Sequence, residues 1–580
     1  MNLLKKIRPA YLLIAVVAAA LMAYGLWTRP SAQPADAEGF SSARVVEDIR
    51  VISKDHHSVA PEHTEARAQV REYLAGRLSD LGADTLMRFH YDSLKGPENK
   101  HVEYTFDVEN LLAEFHPAEK SENTTYLMFV AHFDSRYSQP MPGDTVWSKG
   151  AADDGYGIGV TLETLSQLLK KKEEWKQGVK VLFTDAEEVG MVGMKAQWAN
   201  NKEIFDNVGL MINLEARGTY GPCLLFETSP GNEKIMELYS KAADYKYTYS
   251  LTTVVYTFMP NFTDFTIVKD EIPGLNFSTI ADVNHYHTDK DNFDNINEAS
   301  IQHYGSQVLP VAMEYITNTA YSGKDYFKSE EDTVNFTVPA LGLFNFSKTT
   351  YMVVNAIIVV IFLCLFGLEG VRGRLKAGKV FKTSAKTLGV AVISLLSGLL
   401  LSYLCCLIAG AQFKPFGVIH GVQFDNVAMI IFMTLLAAVL VYIYIKGRGK
   451  AVRGSMNSMR SSAAVTASTH YANNALFGTL ALMLVLNVAL LLALGENLMF
   501  MIPFAFATIA MVLYRLTSLR AWLLVAMFAV LLHAFSFLFA LSMALTIGAF
   551  GAVMMIAAID LMMLIPMADL YMMPSGRHRS

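Results

Sequence analysis

Beyond about residue 350 this chain of 580 residues contains seven apolar runs, at about 350–369, 387–410, 426–445, 475–494, 498–514, 521–543 and 546–567. A hydrocarbon core about 30 Å thick needs roughly 20 helical residues to cross it. Several of the runs have no polar face, which points to helices surrounded by lipid rather than by water. An eighth run, Ala10–Trp27, follows Lys5, Lys6 and Arg8. It is longer than the apolar segment of a typical signal peptide, so a retained anchor is expected. With the N-terminus inside, eighteen lysines and arginines between Lys5 and Arg579 fall in inner connections and only Lys414 in the short outer loops. Such residues resist translocation. The expected organisation is therefore an N-terminal anchor (1–32), a soluble domain outside the cytoplasm (40–330), a seven-helix transmembrane domain (345–572) and an inner tail (573–580).

The net charge of -5 offers no basis for a nucleic-acid partner. The bilayer is one partner, and association of chains through the membrane domain is open. Three of the four cysteines, Cys364, Cys405 and Cys406, lie in apolar runs and leave Cys223 alone, so no disulfide framework is expected.

Within residues 40–330, short apolar runs alternate with helical periodicity. Strands are expected near 125–131, 179–184, 210–214 and 275–279, and helices over 62–82, 155–171, 190–201 and 232–243. This alternation implies an α/β fold, a three-layer sandwich around a mostly parallel mixed sheet, beside an all-α transmembrane domain. On such sheets ligands gather at the carboxyl ends of the strands. The residues placed there are His132-Phe133-Asp134, Asp153-Asp154, Asp185-Ala186-Glu187-Glu188, Asn213-Leu214-Glu215 and His285-Tyr286-His287.

Two imidazoles with surplus carboxylates suit a pair of zinc-type ions. Two adjacent cations need a bridging carboxylate, terminal ligands and room for a water. A metal lowers the pKa of bound water to about 7, and attack on a peptide carbonyl still needs a base that later protonates the leaving amine. In the Glu187-Glu188 pair one carboxylate can bind metal while the other serves as that base.

These residues resemble the co-catalytic di-zinc aminopeptidases of the glutamate carboxypeptidase clan, over roughly residues 40–310 and in the order H-x-D, DD, EE, D/E, YHT. The stretches NLEARGTYGPCLLFETS and YHTDKDN resemble the membrane branch typified by vacuolar membrane protease and endoplasmic reticulum metallopeptidase. The resemblance implies two Zn2+ per chain, with His132 and Glu215 on one and Glu188 and His287 on the other. Asp153 would bridge them, with Asp154 as the alternative in a register ambiguous by one. Glu187 would be the general base, Asp134 would orient His132, and Tyr286 would donate to the oxyanion. Many relatives carry aspartate at the Glu215 position.

The expected activity is hydrolysis of N-terminal residues from peptides. The alternatives are a one-zinc glutaminyl cyclase-like enzyme and a non-catalytic membrane receptor. The expected location is a bacterial inner membrane with a periplasmic peptidase domain, or else a eukaryotic endomembrane with a lumenal one. His56 and His57 are read as structural. Arg217 and Tyr220 stand where either substrate contact or packing is open. Asn123, Asn261, Asn276, Asn335 and Asn345 fit glycosylation sequons. In the membrane, His533 and Asp560 could pair or serve as structural polar contacts and are given no role, and Asp569 lies close to a helix end.

Overall fold

A computed structural model describes residues 29–573, apart from 101, 138, 142–143, 258–261, 339–340, 423–425 and 456–460. The expected anchor at 10–27 lies outside the described residues, as do 574–580 of the tail. The chain separates into two compact units that meet in sequence at Lys348 and Thr349. The soluble unit thus runs past residue 330 to include a C-terminal hairpin.

Its strands are β1 (Thr85–Leu94), β2 (Phe106–Phe115), β3 (Tyr126–His132), β4 (Gln139–Met141), β5 (Asp144–Val146), β6 (Gly178–Thr184), β7 (Val208–Ala216), β8 (Tyr220–Thr228), β9 (Gly274–Ala281), β10 (Thr333–Val338) and β11 (Gly342–Ser347). Its helices are α1 (Ser42–Ile52), α2 (Thr64–Asp80), α3 (Gly155–Leu169), α4 (Val192–Asn200), α5 (Glu233–Ala242), α6 (Ser250–Thr257), α7 (Asp264–Val268) and α8 (Glu298–Thr317). Seven strands form one sheet in the order β1-β2-β6-β3-β7-β9-β8, while β4-β5 and β10-β11 are separate hairpins. The four central strands β6, β3, β7 and β9 are mutually parallel, and antiparallel β2 and β8 flank them.

The sequence of β3, YLMFVAH, shows why the sheet needs cover on both faces: every one of its residues is buried. Leu127, Phe129 and Ala131 enter one core, packed by α1, α2, α3, α5 and α8. Met128 and Val130 point the other way, against Met194 of α4 and Phe265 and Val268 of α7. Alternation along a strand thus builds the three layers. The carboxyl ends of the parallel strands all open on one edge, where the candidate residues lie. Of the sequon asparagines, Asn276 and Asn335 are buried and hydrogen-bonded inside this unit.

The second unit consists of helices α9 (Lys348–Val371), α10 (Ala377–Ala409), α11 (Asn426–Ser455), α12 (Ser461–Leu494), α13 (Leu498–Thr517), α14 (Ala521–Leu545) and α15 (Phe550–Met572). Among the described residues, six stretches are long and apolar enough to cross a membrane; the last, Ala521–Met572, contains α14 and α15 joined by a 3-10 turn. Ile357, Leu363, Ile393, Leu396 and Leu492 are exposed on these helices, as side chains facing lipid should be. Polar groups inside are matched to one another. Glu369 accepts a hydrogen bond from Arg374 and forms an ion pair with Arg515, each at 2.9 Å, and Asn355 and Asn487 exchange hydrogen bonds. Asp569 turns inward to Tyr444 and Arg448. Of the two readings open for His533, the structural polar contact holds: its Nε2 lies 3.4 Å from the Leu498 carbonyl, and both Asp560 oxygens lack a hydrogen-bond partner among the described residues.

His303 of α8 ties the soluble core together. Its Nδ1 accepts from the Cys223 N–H at 3.1 Å, and its Nε2–H donates to the Tyr245 carbonyl at 2.7 Å. That arrangement requires the neutral ring, and burial pulls its pKa down to about 4. The unfolded chain binds this proton from about pH 6.5 downward, the native state only near pH 4. Stability from the neutral ring is therefore complete above pH 6.5 and declines as pH falls toward 4. Thermal unfolding between pH 7 and pH 4 should show a loss of about 1.4 kcal/mol per pH unit from this group. In His303→Gln that share of the slope should vanish although the variant is less stable overall.

Candidate metal centre

Five side chains meet at the carboxyl edge of the sheet. His132 is the last residue of β3, Glu215 the penultimate residue of β7, and Asp153 lies in the turn before α3. Glu188 follows β6, and His287 follows β9. The Asp153 carboxylate stands between the imidazoles, with Oδ1 3.3 Å from His132 Nε2 and Oδ2 3.3 Å from His287 Nε2. Glu215 Oε2 is 3.8 Å from His132 Nε2, and Glu188 Oε2 is 3.1 Å from His287 Nε2. Two triads result, His132–Asp153–Glu215 and Asp153–Glu188–His287, each with ligand atoms within 4.8 Å of one another. They share Asp153.

Neighbouring groups orient these side chains. His132 Nδ1 lies 3.0 Å from the Asp134 carbonyl oxygen; as donor to it, the ring turns the Nε2 lone pair toward Asp153 and Glu215. The Asp134 carboxylate accepts from the backbone N–H groups of Glu187 and Glu188 at 2.9 and 3.2 Å, bracing that turn. Asp154, the alternative bridge, caps α3 by accepting from Gly157 N–H at 3.0 Å and belongs to neither triad. A Cβ at Gly157 would stand 2.3 Å from the Asp154 carboxylate, which explains the glycine. His285 bonds Thr219 through Nδ1 at 2.7 Å and belongs to neither triad. The Tyr286 ring stacks on His287 with centroids 3.6 Å apart. His56 and His57 bond the Ser148 and Asp55 carbonyls.

Three contributors escape the sequence reading. Asp291 accepts from Ala152 N–H at 2.7 Å, Asp153 N–H at 3.3 Å and the Ser148 hydroxyl at 3.1 Å, so it holds the bridge loop. Arg136 donates to the Glu188 carbonyl at 2.7 Å and to its Oε2 at 2.9 Å. Asp264, at the start of α7, accepts from the Thr184 hydroxyl. The DKDN run beyond His287 is the one sequence signal that contains such a residue; Arg136 and Asp264 stand in stretches without a ligand pattern.

The electrostatics of this cluster fit divalent cations. Burial pushes the Glu187 and Glu215 carboxyls well above their ordinary range, and neighbouring carboxylates add to it. Burial opposes ionisation of Glu188 too, yet His287 and Arg136 outweigh it and hold that carboxyl well below the usual range. Burial also disfavours a charged His132, but Asp134 and Asp153 raise it well above 6.5. Glu188 Oε1 is buried with no hydrogen-bond partner among the described residues. At an effective dielectric of 20, like charges 4 Å apart repel by about 4 kcal/mol, so carboxylates this close need protons or cations between them. The donor set of two imidazoles and three carboxylates is of the type zinc accepts.

A mixed α/β sandwich with a shared-carboxylate, two-triad centre at the strand ends is the class that fold and site define. Residues 110–312 match the model of peptidase family M28. Human endoplasmic reticulum metallopeptidase 1 is 27% identical over 300 residues, 50% of this chain and 31% of that protein. The vacuolar membrane protease of Candida dubliniensis is 25% identical over 355 residues, 60% and 35% of the two chains. The chain thus spans about a third of the length of these curated relatives. Among solved structures, Porphyromonas gingivalis glutaminyl cyclase aligns at TM-score 0.38 with 18% identity, covering 48% of this chain and 100% of that one. A zinc-dependent exopeptidase from Parabacteroides distasonis aligns at 0.37 with 18% identity, over 47% and 98%. The family resemblance drawn from the motifs is borne out, and the apolar helices with these relatives make the chain a multi-pass membrane protein.

The role of Asp291 is open to direct measurement. Asp291→Ala leaves the Ala152 and Asp153 N–H groups and the Ser148 hydroxyl without their acceptor. At about 1–3 kcal/mol per buried unpaired group, thermal unfolding of the soluble unit should shift down by several degrees. Asp291→Asn, which retains one acceptor oxygen, should recover part of the loss.

Proposed function

We propose that the soluble unit removes N-terminal residues from peptides at a centre of two zinc ions. The sharing of Asp153 between the two triads carries this reading: a single-metal site has no use for a carboxylate with one oxygen turned to each of two imidazoles. His132 and Glu215 would hold one ion, Glu188 and His287 the other, and Asp153 both. Zinc there would supply Lewis acidity and water acidic enough to ionise near neutrality.

The chain's own residues account for the proton. Glu187 adjoins Glu188 and is held in the turn by Asp134. Its carboxyl is partly open to the cleft and is biased by burial toward accepting a proton. It takes the proton of the attacking water and delivers it to the leaving amine, as a base near its working pH does best. Tyr286 keeps its phenolic proton because burial and nearby carboxylates raise its pKa, so it is a donor to the oxyanion. Asp134 positions both His132 and the Glu187 turn. The charge bias of the connections supports an orientation with this unit outside the cytoplasm.

Glu187→Gln keeps the shape and removes the base. Its kcat on aminoacyl chromogenic substrates should drop by a factor of about 100 or more, with zinc per chain, measured by mass spectrometry, unchanged at two. Full activity would refute the role, and one zinc per chain would favour the cyclase-like alternative.

The orientation has its own check in a full chain with native cysteines replaced by alanine. A cysteine at exposed Glu119 should react with an impermeant maleimide in spheroplasts, and one at exposed Lys379 only after permeabilisation. The reverse pattern would place the soluble unit inside.

A further inference from the structure

The first turns of α10 carry a positive charge that the helical unit leaves uncompensated. Arg372, Arg374, Lys376, Lys379, Lys382 and Lys386 follow one another there, and no Asp or Glu occurs from residue 370 to residue 424. Arg374 is engaged with Glu369. The other five make no ion pair among the described residues, and all but the half-buried Lys386 are exposed. A helix starts at the positive end of its dipole, where acids are favoured and cations are not. Here no acid stands in the first turn and no side chain caps it. Lys379, Lys382 and Lys386, spaced by three and four residues, fall within an arc of about 60° of the helix. Val380, Thr387, Ala391 and Ser394 form the buried seam beside that arc. Further along the helix the lysine side continues into Ile393 and Leu400, both exposed. A stripe of cations thus runs directly into a stripe of lipid-facing side chains.

Length fixes the depth of the stripe. α10 has 33 residues, about 50 Å of helix at 1.5 Å per residue, against about 30 Å of hydrocarbon. Its apolar run begins at residue 387, so the turns before it stand outside the hydrocarbon. Lys386 and Lys382 then lie about 2 and 8 Å beyond that edge, the depth of the headgroup layer. Lys379, about 12 Å out, reaches back along its flexible stem. We propose that Lys379, Lys382 and Lys386 bind the headgroup of an acidic phospholipid in the leaflet on that side, with its acyl chains along Ile393 and Leu400. A zwitterionic lipid brings its own cation and cannot offset the stripe. A soluble anion offsets the charge but gains nothing from the apolar side chains below, so the continuity of the two stripes selects a lipid. This assignment is independent of the peptidase reading.

The test uses the full chain, delipidated in a neutral detergent, and native mass spectrometry with phosphatidylglycerol or phosphatidylcholine of equal chain length. Wild type should bind phosphatidylglycerol about tenfold or more tightly, and the preference should shrink as salt rises. A lysine near an anionic surface is worth about fivefold. Lys379→Gln alone should therefore cost about that factor, and Lys379→Gln, Lys382→Gln and Lys386→Gln together should make the two lipids bind alike. Lys379→Arg, Lys382→Arg and Lys386→Arg together keep the charge and should keep the preference. Lys95→Gln, Lys171→Gln and Lys324→Gln remove the same charge from exposed positions of the soluble unit and should match wild type. Equal binding of the two lipids by wild type, or a preference that survives the three glutamines in α10, overturns the proposal. So does an equal loss in the soluble-unit variant, which would make net charge the cause. Displacement of bound phosphatidylglycerol by millimolar inorganic phosphate also overturns it, since the site would then be one for a free anion.

Discussion

The shared carboxylate of Asp153 is the constraint around which the soluble unit is organised. A carboxylate flanked at 3.3 Å by an imidazole on each side draws Glu188 and Glu215 into the same small volume. Such a concentration of buried acid is unstable without compensating positive charge. In the protein alone protons compensate, which is why His132 is held charged and Glu187 and Glu215 are pushed toward their neutral forms. Divalent cations would replace those protons with a stronger and geometrically fixed charge. The tendency to take up metal is thus a property of the acid cluster before any family comparison is made.

Holding five ligands in place from five separate stretches demands rigid local backbone, and the turns show it. Ala186, Met191, Asp282 and His287 all adopt positive φ, a region that costs a non-glycine residue roughly 1–2 kcal/mol. All four flank or belong to the ligand turns after β6 and β9. The strain is retained because hydrogen bonds over-determine those turns: Asp134 grips the Glu187-Glu188 amides, Asp291 grips the Asp153 loop, and Asp154 locks the start of α3. The carboxylates that bind no metal in this reading are as necessary to the site as those that do.

The sequence disclosed the site because of where ligands stand on an α/β fold. Each parallel strand from β3 to β9 is a short, mostly apolar run with a candidate ligand at or within a few residues of its carboxyl end, so His132, Glu188, Glu215 and His287 stood out by position and residue type together. The one-residue ambiguity between Asp153 and Asp154 was not legible, because only the direction of each carboxylate separates bridge from helix cap. Edge strand β1 was missed since its half-exposed residues mix polar and apolar types, and β8 because its Gly-Pro start reads as a loop. Arg136 and Asp264 act from stretches far from any motif, and their partners are set by tertiary packing. In the membrane unit the seven helices were read from apolar length, but their pairing was not: Asp569 found Arg448 and Tyr444, while Asp560 did not find His533.

One rule of charge matching applies to both units and meets different solutions. Within the helical unit, Glu369 is neutralised internally by Arg374 and Arg515, as lipid surroundings require. The soluble unit, open to water at its strand ends, instead gathers three carboxylates and two imidazoles around Asp153. Buried negative charge without compensation is costly, so this cluster favours protons or cations supplied from solvent, the opposite solution to an internal partner.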